Sequence, residues 1–413
     1  MGIETYYRRP RLLVQLREGP LGNYIDLFAD RLQHEGHCQQ GAWRNLHVVC
    51  DFSHWLARKH IAAYDVDEQT VSSYLPFRRR QLRPSVFEGP ALMRMLALLR
   101  EIEASPPAQP TPSRFADLVE QDFVHHLQQD HGLARVSVIR HLPVIRMFLR
   151  EKRIDSTRSL SKLTARDVVD FIELHVGDHS PRSAQIMCWT LRSFSRFLRY
   201  RGYVTCDLAA SVPSIRRWTL SSLPTYLQPD QVQSVLDACR RDTSLGRRDY
   251  AVLLLLARLG LRSNEVTLLE LADINWRAGT LTIKGKGRRR AELPLPMEVG
   301  AAVADYLEHS RPRSNSRRVF IRQLAPHRGF ASSSAVYLIA RMALERVGID
   351  DVASKGPHLF RHSLATQLLR SGASLTQIGQ LLRHEHPDTT RIYAKVDVSQ
   401  LRTVALPWPG GVR

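Results

Sequence analysis

Residues 250 to 266 read YAVLLLLARLGLRSNEV. The apolar run Ala251 to Ala257 is the longest in the chain and falls well short of the roughly 18 residues that a membrane span needs. It reads instead as a buried helix, Tyr250 to Arg258, with Gly260 ending it and Ser263 or Asn264 placed to cap the next one. Arg262 is thereby presented at a helix junction. Upstream, Pro229 opens a helix through Cys239. Downstream, Leu281 to Lys284 and Glu292 to Leu295 flank the polar stretch GKGRRR and read as a β-hairpin or meander. Arg318 to Arg322 is a candidate for one more strand, and everything after Ser332 reads as helical. Residues 226 to 395 are therefore expected to form an α+β domain, helices around a small sheet.

Residues 1 to 105 open with a basic, Pro-containing lead. Beyond it Trp43, Leu46, Val49, Phe52, Trp55 and Leu56 recur at three- and four-residue steps, one apolar helix face. Ser105 to Ser113, SPPAQPTPS, cannot continue a helix and sets a domain boundary. Phe115 to Ala210 is helical again and repeats the earlier pattern at an offset of 96 residues: Gln33, Gly36, Leu46, Val48 and Phe52 return as Gln129, Gly132, Leu142, Val144 and Phe148. That is the pattern of a partial duplication of a small helical module. Leu191 to Val204 adds a helix with Leu191, Phe194, Phe197 and Leu198 on one side and Arg192, Arg196 and Arg199 elsewhere. Arg192, Arg196 and Arg199 suit either a DNA backbone or water. A basic linker, Val212 to Pro224, leads into the last domain. The expected organisation is a helical domain 1–105, a second helical domain 106–213, a linker 214–225, the α+β domain 226–395 and a tail 396–413. The fold class is mainly α with a small β-sheet in the last domain.

With 413 residues, 43% hydrophobic and 24% charged, the chain is long enough for two or three cores and too apolar to be disordered. Lys and Arg outnumber Asp and Glu by 59 to 40, a net charge of +19 that points to a polyanionic partner. Only seven of those cations are Lys; Arg offers a planar fork that holds phosphate bidentately. Met1 to Arg11 is not followed by an apolar stretch, and Tyr6 stands where a myristoylation signal needs Ser or Thr. Five widely spaced cysteines (38, 50, 188, 206, 239) fit reduced thiols. A cytoplasmic, membrane-free location is the expectation.

Four stretches of the last domain carry chemistry. They are RLGLRSNEV with Arg262, the Gly285-Lys286-Gly287 tip, His358-Leu359-Phe360-Arg361, and LLRHEHPDTTRIYAKV with His384 and Tyr393 on either side of Pro387. Flanking glycines let the tip bring Lys286 close to a ligand, and the i,i+3 spacing places His358 and Arg361 on one helix face. Taken singly, each has an ordinary reading: a surface Arg, a common turn, a chance pair, a core Tyr. Their order and spacing carry the signal.

In that order, Arg262, Lys286, His358, Arg361, His384 and Tyr393 resemble the set of the tyrosine recombinase, or phage integrase, family. The family's GLR-x-x-E appears as residues 260 to 265, its GKG as 285 to 287, its H-x-x-R as 358 to 361, and its LGH as Leu382-Arg383-His384, followed by Thr389, Thr390 and Tyr393. The likeness covers 226 to 395 by motif, and Phe115 to Ala210 resembles the family's helical core-binding domain by pattern; residues 1 to 105 match less well. Two positions depart. Arg383 replaces the expected Gly, and Ala291 stands where an Arg often follows the GKG loop, with Arg290 next door.

The resemblance implies a site-specific DNA recombinase working through a 3′-phosphotyrosine, an integrase or transposase of a mobile element or a chromosome-maintenance enzyme. Tyr393 would be the nucleophile, Arg262 and Arg361 the phosphate clamps, Lys286 the acid for the 5′ oxygen, His358 a base or donor, and His384 a donor to the phosphate. No cofactor and no metal are expected. His384 with His386, and Cys38 with His34, His37 and His47, lack further ligands at zinc spacing. The implied partners are double-stranded DNA and further copies of the chain in a tetrameric synapse, with other recombinases or accessory proteins in addition, and an association with the nucleoid follows. A type IB-like topoisomerase shares the same chemistry, and a non-catalytic DNA-binding regulator is a third reading, opposed by the complete six-residue set.

Overall fold

The computed structural model describes residues 2–81, 83, 85–107, 114–215, 224–285, 290–352 and 355–396. The chain forms two compact units, Met1–Pro107 together with Ser222–Arg413, and Ala108–Ser221. Most of the Val212–Pro224 linker, the Lys286 tip and the tail beyond Val396 lie outside the described residues.

The N-terminal helices of the first unit are α1 (Pro10–Leu16), α2 (Ile25–His34), α3 (Gln39–Arg58), α4 (Glu68–Gln81) and α5 (Glu88–Glu101). Leu46, Val49, Phe52, Trp55 and Leu56 of α3 are buried as the periodicity predicts. Trp43 departs from that face. It remains 39% exposed, stacked on Tyr7 with its indole N–H donating to the Tyr6 carbonyl, because its polar edge finds a partner only at the rim.

The second unit holds α6 (Phe115–Gln129), α7 (Arg135–Glu151), α8 (Thr157–Ser161), α9 (Ala165–Val176) and α10 (Pro181–Tyr200). Ser156, Thr164 and Ser180 cap α8, α9 and α10 with their hydroxyls. Phe123, Phe148, Phe171, Phe194 and Phe197 form an aromatic centre of edge-on and tilted pairs. Leu191, Phe194, Phe197 and Leu198 of α10 face inward, and Arg196 and Arg199 are exposed. Both α2–α3 and α6–α7 are joined through a glycine of positive φ, Gly36 at +82° and Gly132 at +62°.

The C-terminal part of the first unit is built on α11 (Pro229–Asp237) and α12 (Ser244–Leu259). Sequence periodicity starts the apolar helix at Tyr250. The helix in fact begins six residues earlier, because the Thr243 hydroxyl accepts from Gly246 N at 3.0 Å and the polar first turns are paired: Arg248 with Asp249 at 2.7 Å and Arg247 with Asp305 at 3.1 Å. Ala251 through Leu256 are fully buried; a helix apolar on all sides has neighbours on all sides.

Beyond the left-handed Gly260 comes α13 (Ser263–Leu268). Neither Ser263 nor Asn264 caps it. Arg262 occupies the cap position, and the Glu265 carboxylate accepts the Arg262 backbone N–H at 2.8 Å.

Strands β1 (Ile274–Asn275), β2 (Thr280–Lys284) and β3 (Arg290–Pro294) form an antiparallel sheet in sequence order. Leu281 pairs with Leu293 and Ile283 with Ala291, and the alternation buries Leu281, Ile283 and Leu293. The strand expected at Arg318–Arg322 is reduced to single bridges, Glu270 with Arg318 and Ile321 with Gly329. The pairing cannot propagate because Leu271–Asp273 turns into a 3-10 helix directly after Glu270.

Helices α14 (Met297–His309), α15 (Ser334–Arg346), α16 (Pro357–Arg370) and α17 (Leu375–Leu381) complete this part. The helical reading after Ser332 holds for three of these. It ends at 3-10 turns, Pro387–Thr389 and Arg391–Val396. Helix α12 packs against α14, α15 and α16, which places the ends of α12 and α16 together.

Gly260 sits at φ +58°, and a Cβ there would lie 2.7 Å from Leu382 Cδ2. Gly260→Ala is expected to destabilise the protein by about 2 kcal/mol or more, the left-handed cost plus overpacking. Urea denaturation checks this, and an unchanged midpoint would disprove the constraint.

Candidate active site

Arg361 lies on the first turns of α16, a helix opened by Pro357 at its first position. The residue is 3% exposed, and its guanidinium donates to the carbonyl oxygens of Gly260 and Leu382. Two motif stretches far apart in sequence are thus joined to a third. Burial, followed by the nearby Arg262 and Arg383 charges, pushes Arg361 down to about 10. It stays cationic at neutral pH.

Arg262 donates Nη1 to Glu265 Oε1 at 2.9 Å and Nη2 to the Arg383 carbonyl at 3.2 Å, with about a third of its side chain exposed. Arg383 itself adopts φ +56°, the left-handed region that costs an L-residue roughly 1–2 kcal/mol. The backbone therefore keeps the shape a glycine would give. The extra side chain turns inward, donating Nη2 to Glu265 Oε2 at 2.9 Å and Nη1 to the Leu381 carbonyl at 3.0 Å. Burial would raise the Glu265 carboxyl, but Arg383 and Arg262 more than offset it, and it lies below the usual carboxylate range. Glu265 is an anion with two guanidinium partners.

His358 and His362, one helical turn apart on α16, have ring centroids 6.3 Å apart. His358 is exposed, whereas the Nδ1 of His362 lies 2.9 Å from the Tyr393 hydroxyl. Burial first, then His358 and Arg361, lower His362 to about 4. At neutral pH its imidazole is uncharged, and in the tautomer that carries its proton on Nε2 it accepts the phenol's hydrogen bond at Nδ1.

His384 is likewise lowered to about 4, by burial and then by Arg361 and Arg262; its Nδ1 lies 2.7 Å from the Thr390 hydroxyl. Its ring runs parallel to Tyr393 with centroids 6.4 Å apart. Tyr393 is 1% exposed, in a small cluster with Ala365, Ile378 and Leu382, and burial raises its phenol to about 12 against the lowering effect of Arg361.

Five of the six expected residues thus share one region: Arg262, His358, Arg361, His384 and Tyr393. Lys286 lies outside the described residues. The neighbouring Lys284 pairs with Glu270 at 2.7 Å and Asp273 at 3.1 Å. A cavity of about 220 Å³ opens between the sheet and the 383–385 segment, lined by Arg262, Arg290, Ala291, Arg383 and His384 among others. Among the described residues no three His, Cys, Asp or Glu side chains converge as a metal site would require. The arrangement offers a phenol hydrogen-bonded to a neutral imidazole, beside arginines and a histidine suited to binding a phosphodiester.

The phage integrase family model matches residues 225–400. A protein of Sinorhizobium fredii named as an integrase/recombinase, y4rA, is 45% identical over 95% of this chain and 96% of its own length. The tyrosine recombinase XerC of Oceanobacillus iheyensis is 30% identical over 69% of this chain and 94% of its own. The chain belongs to the phage integrase family of tyrosine recombinases. Its fold is similar to that of the XerH site-specific recombinase solved with its difH substrate after cleavage, with a TM-score of 0.53 at 16% identity, over 73% of this chain and 99% of that one.

Three functional neighbours escape sequence reasoning. His362 directly follows the Arg of H-x-x-R and had no spacing signal of its own. Thr390 stands in the quoted stretch but carried no role. Glu265 ends the GLR-x-x-E pattern, where an acid would be expected to repel phosphate; only the paired arginines explain it.

The two lowered histidines tie stability to pH. The unfolded chain binds protons on them near pH 6.5 and the folded one only near pH 4, so stability is complete above about pH 6.5 and declines as pH falls. Between pH 7 and 5 each contributes a loss of up to about 2 kcal/mol. Urea midpoints should therefore fall more in the native protein than in a His362→Gln/His384→Gln variant. Parallel pH curves would remove these histidines as the cause.

Proposed function

We propose that this recombinase cuts and rejoins DNA at a specific site through a 3′-phosphotyrosine on Tyr393, as an integrase or transposase of a mobile element. The observation that carries this is the Tyr393 hydroxyl held 2.9 Å from a neutral His362 nitrogen, next to the buried cation Arg361. A phenol of raised pKa is a poor nucleophile unless its proton has an acceptor and its developing charge a counter-ion. His362 supplies the first, and the cations around the bound phosphate the second.

In this reading Tyr393 attacks the scissile phosphorus and His362 takes its proton. Arg262 and Arg361 hold the non-bridging oxygens, with His358 and His384 donating to them, and Lys286 protonates the departing 5′ oxygen. The phosphotyrosine keeps the energy of the phosphodiester, so a foreign 5′ hydroxyl can reverse the step without ATP. Arg361 has spent two donors on Gly260 and Leu382. It therefore contributes mainly charge and its remaining N–H groups.

Double-stranded DNA is the substrate, and copies of this chain assemble on it. Among the structures of similar fold, XerH is bound to its difH substrate. The net charge of +19 supports the same partner.

A suicide DNA substrate that traps the covalent intermediate tests the reading. Tyr393→Phe should form no covalent complex while retaining DNA affinity within a few-fold. Arg262→Ala and Arg361→Ala should each slow cleavage by about 10²-fold or more. A covalent complex formed normally by Tyr393→Phe would transfer the role elsewhere.

The role of Lys286 has its own test. A 5′-bridging phosphorothiolate, whose leaving group needs little protonation, should restore most of the cleavage lost in Lys286→Ala. An equal defect on both substrates would exclude Lys286 as the acid.

A further inference from the structure

Arg383 is a cation of this site that stands where the expected motif has a glycine. We propose that it is a positioning residue, one that keeps the charge of Arg262 available to the scissile phosphate by sharing Glu265 with it. The proposal rests on the phosphotyrosine reading of the same site.

Three observations carry it. Glu265 is 6% exposed, and its carboxylate accepts from Arg262 N, Arg262 Nη1 and Arg383 Nη2 at 2.8, 2.9 and 2.9 Å. With Arg262 alone, such a buried carboxylate would form a neutral pair, and at phosphate distance its field would cancel most of that guanidinium's. With Arg383 the trio carries a net charge of about +1, as an oxyanion site requires.

Arg383 also acts through its backbone. At φ +56° its carbonyl accepts Arg262 Nη2 at 3.2 Å. One residue therefore holds Arg262 from its main chain and offsets Glu265 from its side chain. A glycine at this position would preserve the first contact and lose the second.

Finally, the Nε–H of Arg383 is buried without a hydrogen-bond acceptor among the described residues, and the residue lines the same cavity as Arg262, Arg290 and His384. A side chain serving only to cement the fold would be expected to satisfy its donors. Its fork is divided between Glu265 and Leu381, so the charge stays near the cavity wall.

The experiment uses full-length protein and suicide substrates carrying either a phosphodiester or an uncharged methylphosphonate at the scissile position. Arg383→Gly suits the left-handed backbone, and its thermal midpoint and DNA affinity are measured alongside. On the phosphodiester, its cleavage at saturating DNA should slow on the order of tenfold or more. On the methylphosphonate, which needs one charge fewer neutralised, the deficit relative to wild type should largely disappear. Arg383→Lys should recover most of the phosphodiester rate.

Wild-type cleavage by Arg383→Gly, or a deficit of equal size on both substrates, would overturn the proposal. Tyr393→Phe, run in parallel, separates the two levels. If it is inactive while Arg383→Gly is normal, only the role of Arg383 fails; if it still forms the covalent complex, the reading of the site itself fails.

Discussion

The buried Arg361 guanidinium, donating to the carbonyls of Gly260 and Leu382, is the contact on which the rest of the site depends. It ties the end of α12, the start of α16 and the turn after α17 together at a single point. Each of those carbonyls closes or follows a helix, where acceptors lack an intrahelical partner. Gly260 can occupy this position because it lacks a Cβ that would strike Leu382. The same turn delivers Arg262 to the head of α13.

Around this tie the electrostatics are arranged by burial. Two arginines, Arg262 and Arg383, converge on one carboxylate, which stays ionised because its partners outweigh its desolvation. Two histidines stay neutral for the opposite reason: burial and neighbouring arginines both oppose a further positive charge. The result is a cationic frame holding neutral bases. A phosphate needs the first and a phenol's proton the second, and a site of uniformly charged side chains could not supply both.

Tyr393 is covered in this state, packed with Ile378 and Leu382. Its ring is set by two histidines from different elements, His362 on α16 and His384 after α17. The 3-10 turn that carries it is short and weakly hydrogen-bonded compared with a helix. The Tyr393 ring is therefore placed by its neighbours' side chains more than by its own backbone.

Much of this protein was legible in its sequence because the determinants are local. Period-three and period-four apolar spacing located the buried face of α3 and the inward side of α10, short runs on either side of the polar GKGRRR located the hairpin, and the order of Arg262, Lys286, His358, Arg361, His384 and Tyr393 identified the family. Local signals failed where a distant partner decided the outcome. Helix α12 starts at Ser244 in part because Arg247 finds Asp305 on α14, and the Arg318 segment makes only single bridges because Glu270 leads into a turn. The contact of His362 with Tyr393, the left-handed Arg383 and the sharing of Glu265 belong to the tertiary structure alone. Their partners lie 31 and 118 residues apart in the chain, and hydrogen bonds over such separations arise only when packing brings the groups together and removes the water that would otherwise compete for them.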